Sequence, residues 1–420
     1  MTTPRQILFL QGLPGDFFNR LAGVLKAQGC EVHRVNFNGG DLWDWRHSGA
    51  VNYRGTLRAW PAFLARLLRA RGITDVVLFG DCRALHRTAR AIAAGLGIQV
   101  HVFEEGYLRP DWVTLERGGV NGFSPLPTDP DWCRAIARDL PPVEDGPRLP
   151  SSLRRRWRDT VIHYTAFVIL WLGFPLYHTH RPWHPLVEAV GWLSQLARRG
   201  AAERRSAAAT GRLRADGYFV FPLQLDSDSQ LRAHSDFDGM QPALAQTLAS
   251  FAAHAPLRFQ IVVKAHPLDN GLVDWRGHAI DYARALGMAD RLIFIESGDI
   301  DALVRGARGV VTVNSTTGTL ALAAGVPVMT LGRAVYDMRG LTHQGTLADF
   351  WIDPQPPQAD LYDAYCRVLA DRCLLRGGFY AAEEHAPLAR AAARRVLAVD
   401  PMLASAGDLQ RLGAMLTAAE

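Results

Sequence analysis

Four short stretches place reactive side chains beside turn-forming residues. FEEG (103–106) sets Glu104 and Glu105 side by side, directly before a glycine. A carboxylate there can take a proton from an attacking hydroxyl, and Gly106 allows a sharp turn and close ligand approach. Neighbours on a strand point to opposite faces, so one of the two carboxylates faces any given cleft squarely. DSD (226–228) offers Asp226 and Asp228 two residues apart, a spacing that suits a nucleophile or a charge stabiliser. KAHP (264–267) ends an apolar run with Lys264 and His266, two donors for a departing phosphate, and with the stiff Pro267. NSTTG (314–318) has Asn314, Ser315, Thr316, Thr317 and Gly318 where helix-capping residues belong, and backbone amides at such a turn can hold a phosphate. Each stretch also has a plainer reading, as solvated glutamates, a polar loop, a satisfied histidine or a helix cap. DSD matches a DxD metal motif in spelling, but DPD (129–131) and DFD (236–238) match it too.

The elements that must position these groups alternate. QILFLQG, EVHRVNF, TDVVLFG and IQVHVF read as buried strands separated by amphipathic helical segments. After residue 217 the pattern resumes with GYFVFPLQL, FQIVVKAHP, RLIFIES, VVTVN and VPVMTLG. Apolar strands alternating with helices predict parallel sheets, hence an α/β fold of two Rossmann-like, doubly wound domains facing a cleft, GT-B-like. The four stretches then fall at carboxyl ends of strands, where open α/β sheets bind ligands. The Gly-rich turn QGLPGDFF (11–18) follows the first strand. It is read as a tight turn or as a lining of the acceptor side, through Gln11, Gly12 and Gly15.

We expect an N-terminal acceptor-side domain over 1–145, a helical insertion over 146–212, a donor-binding domain over 213–380 and a helical tail over 381–420. The insertion is unusual. It contains the uncharged run AFVILWLGFPLY (166–177), with Trp171 within it and Trp157, Trp183 and Trp192 and two arginine clusters, at 147–160 and 197–214, on either side. Twelve residues are too few to span a bilayer, which needs about 20. The composition fits either a segment lying in a membrane interface or a buried helical hairpin.

The chain is 420 residues long, 48% hydrophobic and 21% charged, with net charge +5, ordinary for a core-forming protein. Five scattered cysteines without a CxxC suggest reduced thiols in the cytoplasm rather than a disulfide framework or zinc site. The first apolar run, ILFL, is too short for a signal peptide. The basic clusters lack interleaved aromatics on a nucleic-acid-binding fold, so nucleic acid is not expected as a partner.

FLQGLPGDFFNRLAGVLKAQGCEVHRVNFNGGD, FEEGYLRPDWVTLE, PLQLDSDSQL, KAHP and VNSTTGTLALAAGVPV together resemble capsule polysaccharide biosynthesis proteins of the KpsS/LipB type. The resemblance covers about 1–125 and 217–335. It implies a retaining β-Kdo transferase that uses CMP-Kdo to start a poly-Kdo linker on lyso-phosphatidylglycerol or phosphatidylglycerol, for capsule synthesis and export. It also implies work at the inner face of the inner membrane, with 151–212 on the membrane surface and capsule synthesis or export proteins as partners. Carried over, Asp228 (favoured over Asp226) supplies the nucleophile, and Glu104 (favoured over Glu105) the base. Lys264, His266, Pro267 and residues 314–318 hold the CMP-sugar. Gln11, Gly12, Gly15, Asn38, Gly39 and Arg109 line the acceptor side. A CMP-sugar carries one phosphate, so no metal or other cofactor is expected. Two rival readings remain: another GT-B nucleotide-sugar enzyme, such as a CMP- or UDP-sugar transferase or an epimerase, and a non-catalytic glycolipid-binding export module.

Overall fold

A computed structural model describes residues 4–398 except 145–148, 150–151, 180–182, 184, 215–216 and 382–384. The N-terminal sheet has seven strands, six of them from the first part of the chain: β1 (Gln6–Phe9), β2 (Glu31–Asn36), β3 (Ala50–Asn52), β4 (Asp75–Phe79), β5 (Gln99–Glu105) and β6 (Trp112–Arg117). Five build the C-terminal sheet: β7 (Tyr218–Pro222), β8 (Gln260–Lys264), β9 (Leu292–Ile295), β10 (Gly309–Thr312) and β11 (Val328–Thr330). In the first, β3-β2-β1-β4-β5 run parallel; in the second, β9-β8-β7-β10-β11 do. Both halves therefore share one winding, with strand order reversing beside the first strand of each, the place where such sheets open a ligand crevice. The strands are continuous apolar runs because helices cover both faces: every residue of β7 and β8 is buried. This is the GT-B-like arrangement expected.

The expected boundary at 380 does not hold. A last strand, β12 (Leu374–Arg376), returns to the N-terminal sheet and pairs antiparallel with β6, itself antiparallel to β5. The helix His385–Leu397 then packs on the helix Phe17–Ala27. Its buried Ala389, Ala392 and Ala393 are small enough for close approach, with Leu388 and Val396 beside them. The part of the expected tail beyond residue 398 lies outside the described residues.

The insertion forms two helices, Leu153–Ile169 and Pro185–Thr210, one against each half. The first lies so close to the short helix Gly39–Asp44 that a Cβ at Gly39 would come 2.3 Å from the Ala166 carbonyl oxygen. One at Gly40 would meet the His163 ring at 2.5 Å. His163 Nδ1 reaches Asp44 at 2.7 Å. The second helix grips the C-terminal half: Arg205 makes two hydrogen bonds to Glu296, and Ser206 Oγ accepts from the Glu296 and Ser297 amides. The pair is not a buried hairpin. Ile169, Trp171, Leu172, Leu193 and Leu196 are all 59–73% exposed. Among the described residues no helix is long and apolar enough to cross a membrane.

Candidate active site

The four stretches converge between the two halves, each at the carboxyl end of its strand. Glu104 and Glu105 close β5. Gly106 must be glycine there, since a Cβ would sit 2.2 Å from the Trp112 carbonyl oxygen of β6. The two glutamates have different surroundings. Glu105 faces the insertion, with Arg156 at 3.7 Å. Glu104 faces the other half: its Oε2 accepts from Gln230 Nε2 at 3.2 Å, and its Oε1 from the Glu105 amide at 3.0 Å. Burial, reinforced by the nearby charges of Asp228 and Glu105, pushes the Glu104 carboxyl up to about 8, against the pull of the Glu105 amide and Arg83.

The two aspartates after β7 also part ways. Asp226 is a loop staple. It accepts from the Met240 amide at 2.7 Å, pairs with Arg232 at 3.3 Å, and lies where a side chain on Gly239 would stand. Asp228 caps the short helix Ser229–Ala233, its Oδ1 accepting from the Gln230 amide at 2.9 Å. Its Oδ2 makes no hydrogen bond among the described residues. Burial raises its carboxyl; the Gln230 amide and the charges of Arg83 and Arg232 oppose that.

The neighbouring strand ends of the same sheet carry donors. Lys264 Nζ donates to the carbonyl oxygens of Ala265 (2.8 Å) and Glu296 (3.4 Å), and burial lowers its pKa. His266 Nδ1 accepts from the Leu268 amide at 3.0 Å. That bond places the ring proton on Nε2, making it a donor. Burial, Lys264 and Arg109 push His266 down to about 4, so it is neutral at physiological pH. Pro267 is exposed beside it. In the turn after β10, Ser315 Oγ accepts from the Thr317 amide, and Tyr336 Oη donates to the Ser315 carbonyl at 2.6 Å. Gly318 lets Tyr336 approach: a Cβ there would stand 2.2 Å from its Oη. Thr316 precedes the helix Thr317–Ala323 without a side-chain cap bond. Asn314 instead braces the loop, exchanging two hydrogen bonds with Gln224 and donating to the Gln230 carbonyl.

On the expected acceptor side, Gln11 is buried. Its Nε2 donates to Asp41 and to Tyr177 Oη, both at 3.2 Å, and its Oε1 accepts from Arg83 at 3.1 Å. Asn38 caps the helix Gly39–Asp44. Gly12 abuts Phe18, while Gly15 at φ +119° lies against Asp159 of the insertion. Gly39 belongs to helix packing rather than to the cleft. Arg109 is exposed, near enough for its charge to lower His266.

Sequence reasoning missed six residues around the site. Gln230 joins both candidate catalytic carboxylates, one through its side chain and one through its amide. Arg83, in GDCR at the end of β4, acts on the same two carboxylates. Tyr177 ends the apolar run of the insertion inside the site. Asp81, Cys82 and His234 bring three potential metal-ligand atoms within 4.8 Å of one another. Cys82 Sγ lies 3.2 Å from Asp81, 3.3 Å from Gln230 Oε1 and 3.3 Å from His234 Nε2. Burial and Asp81 push this thiol far up. The thiol is therefore protonated in this arrangement and hydrogen-bonds to its neighbours. The signal for Arg83 was available, since GDCR follows a buried strand just as FEEG does.

The site thus brings a carboxylate from each half together through Gln230, with further donors at neighbouring strand ends. Residues 74–380 match the family model described as "Capsule polysaccharide biosynthesis protein", and the chain belongs to that family, of the KpsS/LipB type. It is 35% identical over 393 residues to the capsule polysaccharide modification protein LipB of Neisseria meningitidis serogroup A, covering 90% of this chain and 93% of that one. It is 33% identical over 383 residues to the capsule polysaccharide export protein KpsS of Escherichia coli, covering 90% and 97%. The match thus also spans the insertion, beyond the two blocks read from the motifs. Among solved structures, Thermosulfurimonas dismutans KpsC, a beta Kdo 2,7 transferase, is 14% identical at a TM-score of 0.43, covering 87% of this chain and 89% of that one. The S. aureus MnaA–UDP co-structure is 11% identical at a TM-score of 0.30, covering 94% and 95%.

Proposed function

We propose that this chain is a retaining β-Kdo transferase that uses CMP-Kdo to start the poly-Kdo linker on phosphatidylglycerol or its lyso form. The observation that carries the reading is Gln230, which ties Glu104 of one half to Asp228 of the other and so fixes two carboxylates across the cleft. In the first step the Asp228 carboxylate attacks the anomeric carbon. The bond to the CMP phosphate oxygen breaks and its electron pair leaves with CMP. Lys264, the Nε2–H of His266 and the 315–318 turn receive the phosphate charge. In the second step Glu104 takes the proton of the acceptor hydroxyl, whose oxygen displaces Asp228 from the sugar. Two inversions give net retention. No step draws on a metal, because a single phosphodiester charge is matched by these donors.

The insertion seats the acceptor. Its exposed Ile169, Trp171 and Leu172 lead through the same run to Tyr177, which touches Gln11 in the cleft. Arginines on both helices suit anionic lipid, so the protein works on the inner face of the inner membrane, beside capsule synthesis or export proteins.

The test is direct. Purified protein receives CMP-Kdo generated in place and a fluorescent lyso-phosphatidylglycerol, and products are read by mass. A gain of one Kdo, absent with Asp228→Ala, is expected. Transfer to a Kdo-primed acceptor alone would make it an extending enzyme. Transfer to neither would overturn the donor assignment.

A further inference from the structure

Arg83 is an unspent cation in the middle of a carboxylate cluster. It stands four residues beyond β4, at the strand-order reversal between β1 and β4. Nearby Gly80 lies so close to Glu104 that a Cβ on it would be 3.4 Å from Oε2. Neighbouring Cys82 touches Gln230, which holds both Glu104 and Asp228. Yet among the described residues Arg83 makes no ion pair. Its Nη1 is anchored to Gln11 Oε1 at 3.1 Å, with the Gly12 carbonyl at 3.5 Å and the Phe79 ring 5.8 Å away. Gln11 cannot turn away, because its Nε2 is committed to Asp41 and Tyr177. The anchor uses one edge of the guanidinium and leaves further N–H donors, a fork that fits a carboxylate. Arg232, the other cation acting on Asp228, is already paired with Asp226.

We propose that Arg83 binds the carboxylate of the transferred sugar, and so selects donors whose anomeric carbon itself bears a carboxylate. This rests on the reading of Asp228 as nucleophile. In such a sugar the carboxylate is one bond from the carbon under attack, so it must enter beside Asp228 and Glu104. Like charges crowded into one site repel, and each disfavours the others' ionised form. A cation left free at that point offsets the repulsion; for a neutral sugar it would have no partner. The phosphate is held on the opposite wall by Lys264 and His266, which leaves Arg83 for a second anion.

Equilibrium binding of CMP, and of CMP-Kdo generated in place, to Asp228→Ala protein is compared with binding to the Asp228→Ala/Arg83→Met double variant. Arg83→Met is expected to weaken CMP-Kdo by roughly 10–100-fold, the range of a lost charge-assisted pair. CMP affinity should stay within about two-fold, which also reports an intact fold. Arg83→Lys should recover part of the loss. Equal losses for CMP and CMP-Kdo, or no loss for either, would overturn the proposal while leaving the donor assignment standing. An Asp228→Ala parent that binds neither compound would instead overturn the donor assignment, and this proposal with it.

Discussion

The two halves share a strand order but equip their carboxyl ends differently. On the N-terminal side, Glu104, Arg83 and Gln11 are linked to one another or to the other half by side-chain hydrogen bonds, and burial raises the Glu104 carboxyl. On the C-terminal side, Lys264, His266 and Ser315 bond mainly to nearby backbone, which fixes their direction but leaves donors free. Asp228 belongs to the second half and reaches the first through Gln230, whose amide it accepts from and whose side chain donates to Glu104. On the proposed mechanism, one scaffold separates two tasks, with proton and covalent chemistry around Glu104 and Asp228 and charge reception at Lys264, His266 and the 315–318 turn. Winding alone does not decide the role of a strand end. The side chains of the following turn do.

The sharpest way to break this comparison is at the aspartates. Asp228→Ala should abolish transfer, a fall of at least about 10³-fold in kcat. Asp226→Ala should leave kcat within about ten-fold and lower the melting temperature, because it removes the brace on the Met240 amide. Steady-state rates and thermal melts of both variants decide it; wild-type turnover in Asp228→Ala would remove the nucleophile assignment.

Glu104 comes next. Glu104→Gln should cost roughly 10²–10⁴-fold, while Glu105→Gln, which loses a pair with Arg156, should cost only a few-fold. A base must be ionised to act, so wild-type turnover should rise with pH through about 8, where Glu104 deprotonates. The Gln230 N–H favours the ionised carboxylate; Gln230→Leu should therefore move the acid limb to higher pH. A profile flat between about pH 6 and 9 would take Glu104 out of the proton-transfer step.

The binding wall should respond more mildly. Lys264→Met and His266→Ala should each lower kcat/KM by roughly 10²-fold, as loss of one donor to a developing oxyanion does. Neither should shift the acid limb, since His266 is already neutral above about pH 5. A limb displaced in His266→Ala would show that the histidine, not Glu104, carries the proton.

Much of this was legible in the sequence because continuous apolar runs mark buried parallel strands, and the residue after each run marks its carboxyl end. FEEG, DSD, KAHP and STTG were found that way. Short or returning elements were not: β3 and β12 have three residues each, and β12 pairs with a strand more than 250 positions away in the chain. No local periodicity encodes such a pairing. Arg83 carried the same signal, a polar residue after a buried strand, but it stood among many arginines, and Gln230 gave none. Their roles arise from contacts across the cleft, such as the 126-residue separation between Gln230 and Glu104. The difference between Asp226 and Asp228 was equally invisible, because it depends on which of them meets the amide of Met240.

The smallest expected effect on chemistry lies farthest from it, in the helical pair. The cleft walls bury their large apolar side chains; the insertion leaves Trp171 at 59% and Leu172 at 73% exposed. Fully burying such a side chain is worth about 1.5–3 kcal/mol, roughly ten-fold or more in partitioning per residue. Trp171→Asp/Leu172→Asp should therefore sharply reduce co-flotation with phosphatidylglycerol vesicles. Because these residues sit beyond Tyr177, turnover of a short-chain, water-soluble acceptor should stay within about two-fold. If the double variant still floats with vesicles, the apolar surface is not the membrane contact. If it loses turnover of the soluble acceptor as well, the run 166–177 shapes the cleft itself, and the division between seating the lipid and reacting it must be drawn closer to Gln11.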